Sequence, residues 1–141
     1  MSLVLDASAA LAWIYQEELG ATAQAILDRV SAEGAWVPAI WRLEIANALN
    51  IGIRRGRIAT DYRDEALATL ALHDIRADPE TSERAWNATL RLADQLRLTL
   101  YDAAYVELAE RRALPLAALD RDIRVAARTL GIELVGEGAG R

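Results

Sequence analysis

The chain has 141 residues and a net charge of −5, with 53% hydrophobic and 26% charged residues; this composition describes one globular domain that buries roughly 68% of its unfolded surface, not a disordered chain or a basic nucleic-acid coat. Cys and Lys are absent and there is one His, His73, which excludes disulfides, thiolate zinc sites, cysteine nucleophiles, Schiff-base lysines, P-loops and multi-histidine metal sites. No apolar run is long enough to span a membrane and the first residues lack a basic leader, so a soluble cytoplasmic protein is expected.

In chain order, Ser2 to Leu5 is a short apolar run that reads as a buried strand. Ser8 to Gln16 and Ala21 to Ala32 read as helices, the second stopped by Gly34. Ala35 to Val37 is a second strand, closed by Pro38. Ile40 to Arg55 is a helix ended by Gly56, and Thr60 is placed to cap another through about Leu72. Asp74 to Ala77 is a weak third strand. One helix follows from Thr81 and Ser82 to about Leu96. Tyr101 to Arg112 is helical, with Tyr101, Ala104, Tyr105, Leu108 and Ala109 on one apolar stripe. Leu116 to Leu119 is a strand, Ile123 to Leu130 a helix stopped by Gly131, and Ile132 to Val135 a last strand. Short apolar strands alternating with helices imply an α/β fold whose central, mainly parallel sheet of four or five strands is covered on both faces.

The chemistry available is that of carboxylates, hydroxyls and Arg. Asp6 and Asp120 each follow an apolar strand directly, at the sheet edge where open α/β folds bind ligands. Each reads equally well as a helix N-cap. Glu44 shares a helix face with Trp41, Ala48 and Ile51, and Asn47 is one turn on. A carboxylate there is costly unless it is paired or holds a cation, and a buried Glu–Arg pair satisfies the same pattern. Asp102 opens the helix 101–112, where a first-turn acid is also favourable on helix-dipole grounds alone. Asp122 carries the same ambiguity. If the four acids converge, their repulsion is relieved by a hard cation such as Mg²⁺ or Mn²⁺, and such ions activate water in phosphodiester cleavage.

Four segments carry a resemblance. They are Val4-Leu5-Asp6-Ala7-Ser8, Pro38-Ala39-Ile40-Trp41-Arg42-Leu43-Glu44 through Leu49, Leu100-Tyr101-Asp102-Ala103-Ala104-Tyr105, and Leu116-Ala117-Ala118-Leu119-Asp120 followed by Ala126-Ala127-Arg128 and Gly131-Ile132. In this order and spacing they resemble the PIN-domain ribonucleases, specifically the VapC toxins of VapBC toxin–antitoxin systems. The resemblance covers nearly the whole chain. It implies a three-layer α/β/α PIN-like fold over residues 1–135; the tail over 136–141 reads from the sequence as flexible. It implies endonucleolytic cleavage of RNA dependent on Mg²⁺ or Mn²⁺, with Asp6, Glu44, Asp102 and Asp120 as the catalytic acids and Asp6, Asp102 and Asp120 as metal ligands. Ser8, Asn47 and Asp122 are supporting positions by the same resemblance. A homodimer and a cognate VapB-like antitoxin are the implied partners beside RNA. Ala118 departs from the family, which often has Thr or Ser two residues before the last Asp.

Arg121 and Arg124 follow Asp120 closely enough to contact phosphates. The runs Arg54, Arg55, Arg57 and Arg111, Arg112 read first as solvated helix-end charge. Trp13, Trp36, Trp41 and Trp86 read as core or interface, and His73 as a helix-end partner of Asp74. A haloacid-dehalogenase-type phosphatase is disfavoured, because position 8 is Ser and Lys is absent. The alternative that stays open is a catalytically weak or inactive PIN-like module that binds RNA or a partner.

Overall fold

The computed structural model describes residues 2–15 and 20–136. Its elements are β1 (Val4–Leu5), α1 (Ala7–Tyr15), α2 (Ala21–Glu33), β2 (Ala35–Val37), α3 (Trp41–Arg54), α4 (Thr60–Leu70), β3 (Ile75–Ala77), α5 (Thr81–Arg84), α6 (Ala88–Leu96), α7 (Leu100–Arg112), β4 (Leu116–Ala117) and α8 (Arg121–Leu130). The four strands form one parallel sheet in the order β3-β2-β1-β4. Helices flank it in the three-layer α/β/α arrangement. Val4 is level with Trp36 on one side and Leu116 on the other.

This order places the site. From β1 the chain winds outward through β2 and β3, then returns to lay β4 on the opposite side of β1. The winding reverses between β1 and β4, and a crevice opens beyond their carboxyl ends at such a switch point. Asp6 and Asp120 follow those two strands.

The strands β1 and β4 are continuous apolar runs because both faces of the sheet are covered there; Leu3, Val4, Leu5, Leu116 and Ala117 are fully buried, whereas the edge strand β3 carries Arg76 and is largely exposed. Helix α7 runs through the core, with residues 103–109 buried on every side. Gly34 ends α2 at φ +73°, where its N–H donates to the Val30 carbonyl at 2.8 Å. A Cβ there would lie 2.8 Å from the Asp74 carbonyl oxygen, so the position needs glycine twice over.

Several boundaries differ from expectation. The last strand, 132–135, shrinks to a single bridge between Leu116 and Leu134. The helix expected over 81–96 breaks at residues 85–87 into α5 and α6, where Asn87 (φ −128°, ψ −96°) caps the second half by accepting from the Ala88 N–H at 2.6 Å. Thr60 is not the cap of α4; it is the first helical residue, and Ala59 holds the cap position without a side-chain bond. Helix α4 stops at Leu70, and β4 keeps only two residues. Helix α8 starts at Arg121, two residues early, because Asp120 caps it. Gln16 and residues 137–141, which include most of the expected tail, lie outside the described residues. Among the described residues, no helix is long and apolar enough to cross a membrane.

Candidate active site

Ser8 joins the two strand ends. Its hydroxyl donates to Asp6 Oδ2 and accepts from the backbone N–H groups of Leu119 and Asp120, each at 3.1 Å. The Ser8 N–H adds a longer contact to Asp6 Oδ2 at 3.4 Å. One side chain thus fixes the Asp6 carboxylate and the loop that carries Asp120. This hydroxyl occupies the junction beside Ala118, whose own side chain is fully buried and apolar. Asp120 does cap a helix: its Oδ1 accepts from the Ile123 N–H at 3.0 Å. The cap leaves Oδ2 without a hydrogen bond to the described residues, so the structural and functional readings of Asp120 are compatible.

Glu44 sits half-buried in the first turn of α3. Its partner is not an Arg. Tyr105, fully buried on α7, donates its hydroxyl to Glu44 Oε1 across 61 residues of sequence. Burial first, then the Glu44 carboxylate, drives the Tyr105 pKa far above its ordinary value, so the phenol remains a neutral donor. Asp102 lies in the first turn of α7, with its backbone N–H donating to the Thr99 hydroxyl at 3.1 Å.

The acids feel one another. Asp6 is 4% exposed, and burial pushes its pKa from 3.8 up to about 7. The Ser8 hydrogen bond opposes that rise, while Glu44 and Asp102 add to it. The Asp102 pKa is also raised, first by burial and then by Asp120, with Glu44 and Asp122 contributing and Thr99 opposing. Asp6, Glu44, Asp102 and Asp120 therefore share one electrostatic neighbourhood, with Asp122 at its edge.

These acids fit a divalent cation by donor type, since the set is all oxygen and self-repelling. Asp6, Glu44 and Asp120 each commit one carboxylate oxygen to a neighbouring donor, and their other oxygens have no hydrogen bond to the described residues. As placed, the side chains do not close around an ion: among the described residues no three Asp, Glu or His groups stand within ligating reach of one point.

The other expected positions are dispersed. Asn47 is exposed, one turn on from Glu44. Asp122 and Arg121 are exposed on α8. Arg124 is half-buried and donates to the Ala118 carbonyl at 2.9 Å, which braces the loop before Asp120. Arg111 and Arg112 are not solvated helix-end charge, because both bind the buried Asp78, at 2.6 and 3.0 Å. Trp13 and Trp41 are buried, but Trp86 is 90% exposed. His73 lies beyond the end of α4, its ring centroid 6.3 Å from that of Trp13, while Asp74 pairs with Arg76 instead. Tyr101 also departs from expectation: it is 60% exposed, although its spacing placed it on the apolar stripe of α7. Sequence reasoning assigned Tyr105 to the core and missed its contact with Glu44. The available signal was its position one helical turn after Asp102.

A parallel sheet between helices, with carboxylates gathered at its switch point, defines an open α/β fold of the kind that binds its ligand beyond the strand ends. The chain matches the PIN domain over residues 3–129 and belongs to that family. PIN domains are generally nucleases and typically use divalent metal ions. The fold is similar to the crystal structure of PAE2754 from Pyrobaculum aerophilum, with a TM-score of 0.65 at 25% sequence identity, covering 96% of this chain and 91% of that one. No curated protein matches the chain.

Proposed function

We propose that the protein is a Mg²⁺- or Mn²⁺-dependent endoribonuclease acting as the VapC-like toxin of a toxin–antitoxin pair. The observation that carries this reading is the Ser8 junction: one hydroxyl binds the Asp6 carboxylate and both amides leading into Asp120, at the switch point of the sheet. Asp6, Asp102 and Asp120 would hold the metal. When bound, it supplies water activation and neutralises charge on the phosphate being cut. Ser8 fixes the direction of the Asp6 carboxylate. Tyr105 holds Glu44 by one oxygen and leaves the other to orient water. Arg121 and Arg124 flank the Asp120 side, where phosphates of the substrate would pass. A homodimer, a VapB-like antitoxin and a cytoplasmic location belong to the same reading.

The second reading is a PIN-like module that binds RNA or a partner without cutting. It is favoured by the spread of the carboxylates, which as placed do not close on an ion.

The test is incubation of total cellular RNA with purified protein freed of any antitoxin, in Mg²⁺ or Mn²⁺, beside EDTA and Asp6→Asn controls. Discrete fragments with 5′-phosphate and 3′-hydroxyl ends, lost in both controls, are expected. Cyclic 2′,3′-phosphate ends would contradict the mechanism. RNA binding without metal-dependent fragments would establish the second reading.

A further inference from the structure

Helix α3 carries Glu44 near its start and the densest basic run of the chain, Arg54, Arg55 and Arg57, at its end. Residues 41–57 hold four Arg against one acid, in a chain whose net charge is −5. Arg54 and Arg55 are exposed, and neither makes an ion pair or side-chain hydrogen bond with the described residues. Arg29, Arg63, Arg76, Arg84, Arg111 and Arg112 pair with carboxylates; Arg42, Arg91, Arg97 and Arg121 are exposed and, like Arg54 and Arg55, have no ion pair among the described residues, but only Arg54 and Arg55 stand side by side. The helix macrodipole favours a cation in the last turn, but that effect is worth under about 1 kcal/mol at an exposed site. It does not account for the adjacent guanidiniums of Arg54 and Arg55, while Arg57 stacks 4.5 Å from the Tyr15 ring centroid.

Helical spacing links this run to the site. Leu43, Asn47, Asn50 and Arg54 fall at i, i+4, i+7 and i+11, and all four are exposed. They form one ridge that starts beside Glu44 and ends about 16 Å further along the axis. It carries no acid, and two of its members are side-chain amides. Arg54, Arg55 and Ile51 line a shallow concavity at the far end. The one large apolar side chain of the ridge is Leu43, at 73% exposure. A protein partner would need an apolar centre that the ridge lacks. Amides and guanidiniums are what phosphate and ribose take.

We propose that this ridge is the track along which the phosphate backbone of single-stranded RNA runs away from the acidic crevice, with Arg54 and Arg55 binding phosphates a few nucleotides from the bond to be cut. The proposal rests on the nuclease reading of that crevice and adds its distal substrate contacts.

The experiment measures binding of a fluorescein-labelled, mixed-sequence single-stranded RNA by anisotropy across a NaCl series in Mg²⁺. The full chain carries Asp6→Asn so that the RNA survives. Arg54→Gln/Arg55→Gln should weaken binding for every sequence and flatten the slope of log K against log salt by about 1.4, roughly 0.7 for each lost phosphate contact. Arg91→Gln/Arg97→Gln removes the same charge from exposed positions on the α6 side and should leave the slope near that of the parent. Equal slopes for the two double variants overturn the track. So does a change of oligomeric state in sedimentation without a change in RNA affinity, which would assign the ridge to a second copy. If the Asp6→Asn chain binds no RNA at all, the nuclease reading falls and the track falls with it. If it binds with the parent's slope in Arg54→Gln/Arg55→Gln, only the track falls.

Discussion

Asp6 follows β1 with its carboxyl in the interior and with Glu44 and Asp102 pushing against its charge. The folded chain binds that proton up to about pH 7, whereas the unfolded chain releases it near 3.8. Between those values the folded state holds the extra proton, so its stability falls as pH rises through the window and the whole cost is present above it. Asp6→Asn keeps an acceptor for the Ser8 hydroxyl and removes the ionisation. The variant should therefore be more stable than the parent at pH 8, by up to about 4 kcal/mol. The gap should close toward pH 4. Urea unfolding followed by circular dichroism across that range reads the difference, and a pH-independent gap would show that Asp6 ionises without strain. A buried carboxyl whose charge is opposed by burial and by two acidic neighbours marks a candidate functional site.

At the scale of elements, α7 brings Asp102 and Tyr105 to the crevice from one end while its other end is anchored. Arg111 reaches Asp78 at 2.6 Å, Glu107 at 2.8 Å and Glu80 at 3.3 Å, and Arg112 adds a bond to Asp78 at 3.0 Å while its guanidinium stacks 3.7 Å from the Trp36 ring centroid. The Asp78 side chain has no exposure. Burial alone would raise the Asp78 pKa, but hydrogen bonds from Arg111 and Arg112 reverse this and hold it below the ordinary value. Arg111→Met leaves Asp78 and Glu107 short of a counter-charge and should cost about 3–5 kcal/mol in denaturant unfolding. A loss under about 1 kcal/mol would mean that water enters and screens the network. This anchor was not legible in the sequence, because Asp78 follows the weakest strand and its partners lie more than thirty residues away. The legible elements were those with a local cause: Gly34 and Gly131 as stops, and apolar runs ending in Asp6 and Asp120. The break between α5 and α6 and the exposure of Tyr101 were decided by tertiary packing, which overrides the helical period. For the site, sequence placed Asp6 and Asp120 at adjacent strand ends, but the Tyr105–Glu44 bond needed two helices to be brought side by side.

Across the whole molecule, charge is segregated. Carboxylates repel one another at the switch point of the sheet, while six guanidiniums elsewhere are neutralised in pairs with carboxylates. Such an arrangement is under tension in the absence of a cation and is relaxed by one. If Mg²⁺ or Mn²⁺ binds the folded chain and not the unfolded one, it should stabilise the fold by about 2.7 kcal/mol at a concentration one hundred times its Kd. The same ion should stabilise less as pH falls below 7, because Asp6 must shed its proton before it can ligate. Thermal unfolding with and without Mn²⁺ at pH 6 and pH 8 reads both effects without any RNA. The expected result is a larger rise in Tm at pH 8 than at pH 6, absent in Asp6→Asn and unchanged in Arg91→Gln. An equal rise in Asp6→Asn would place the ion elsewhere on this acidic surface. No rise at either pH, in a chain that still binds RNA, would assign the crevice to recognition without cleavage, and the repulsion among its acids would then be a cost borne for binding alone.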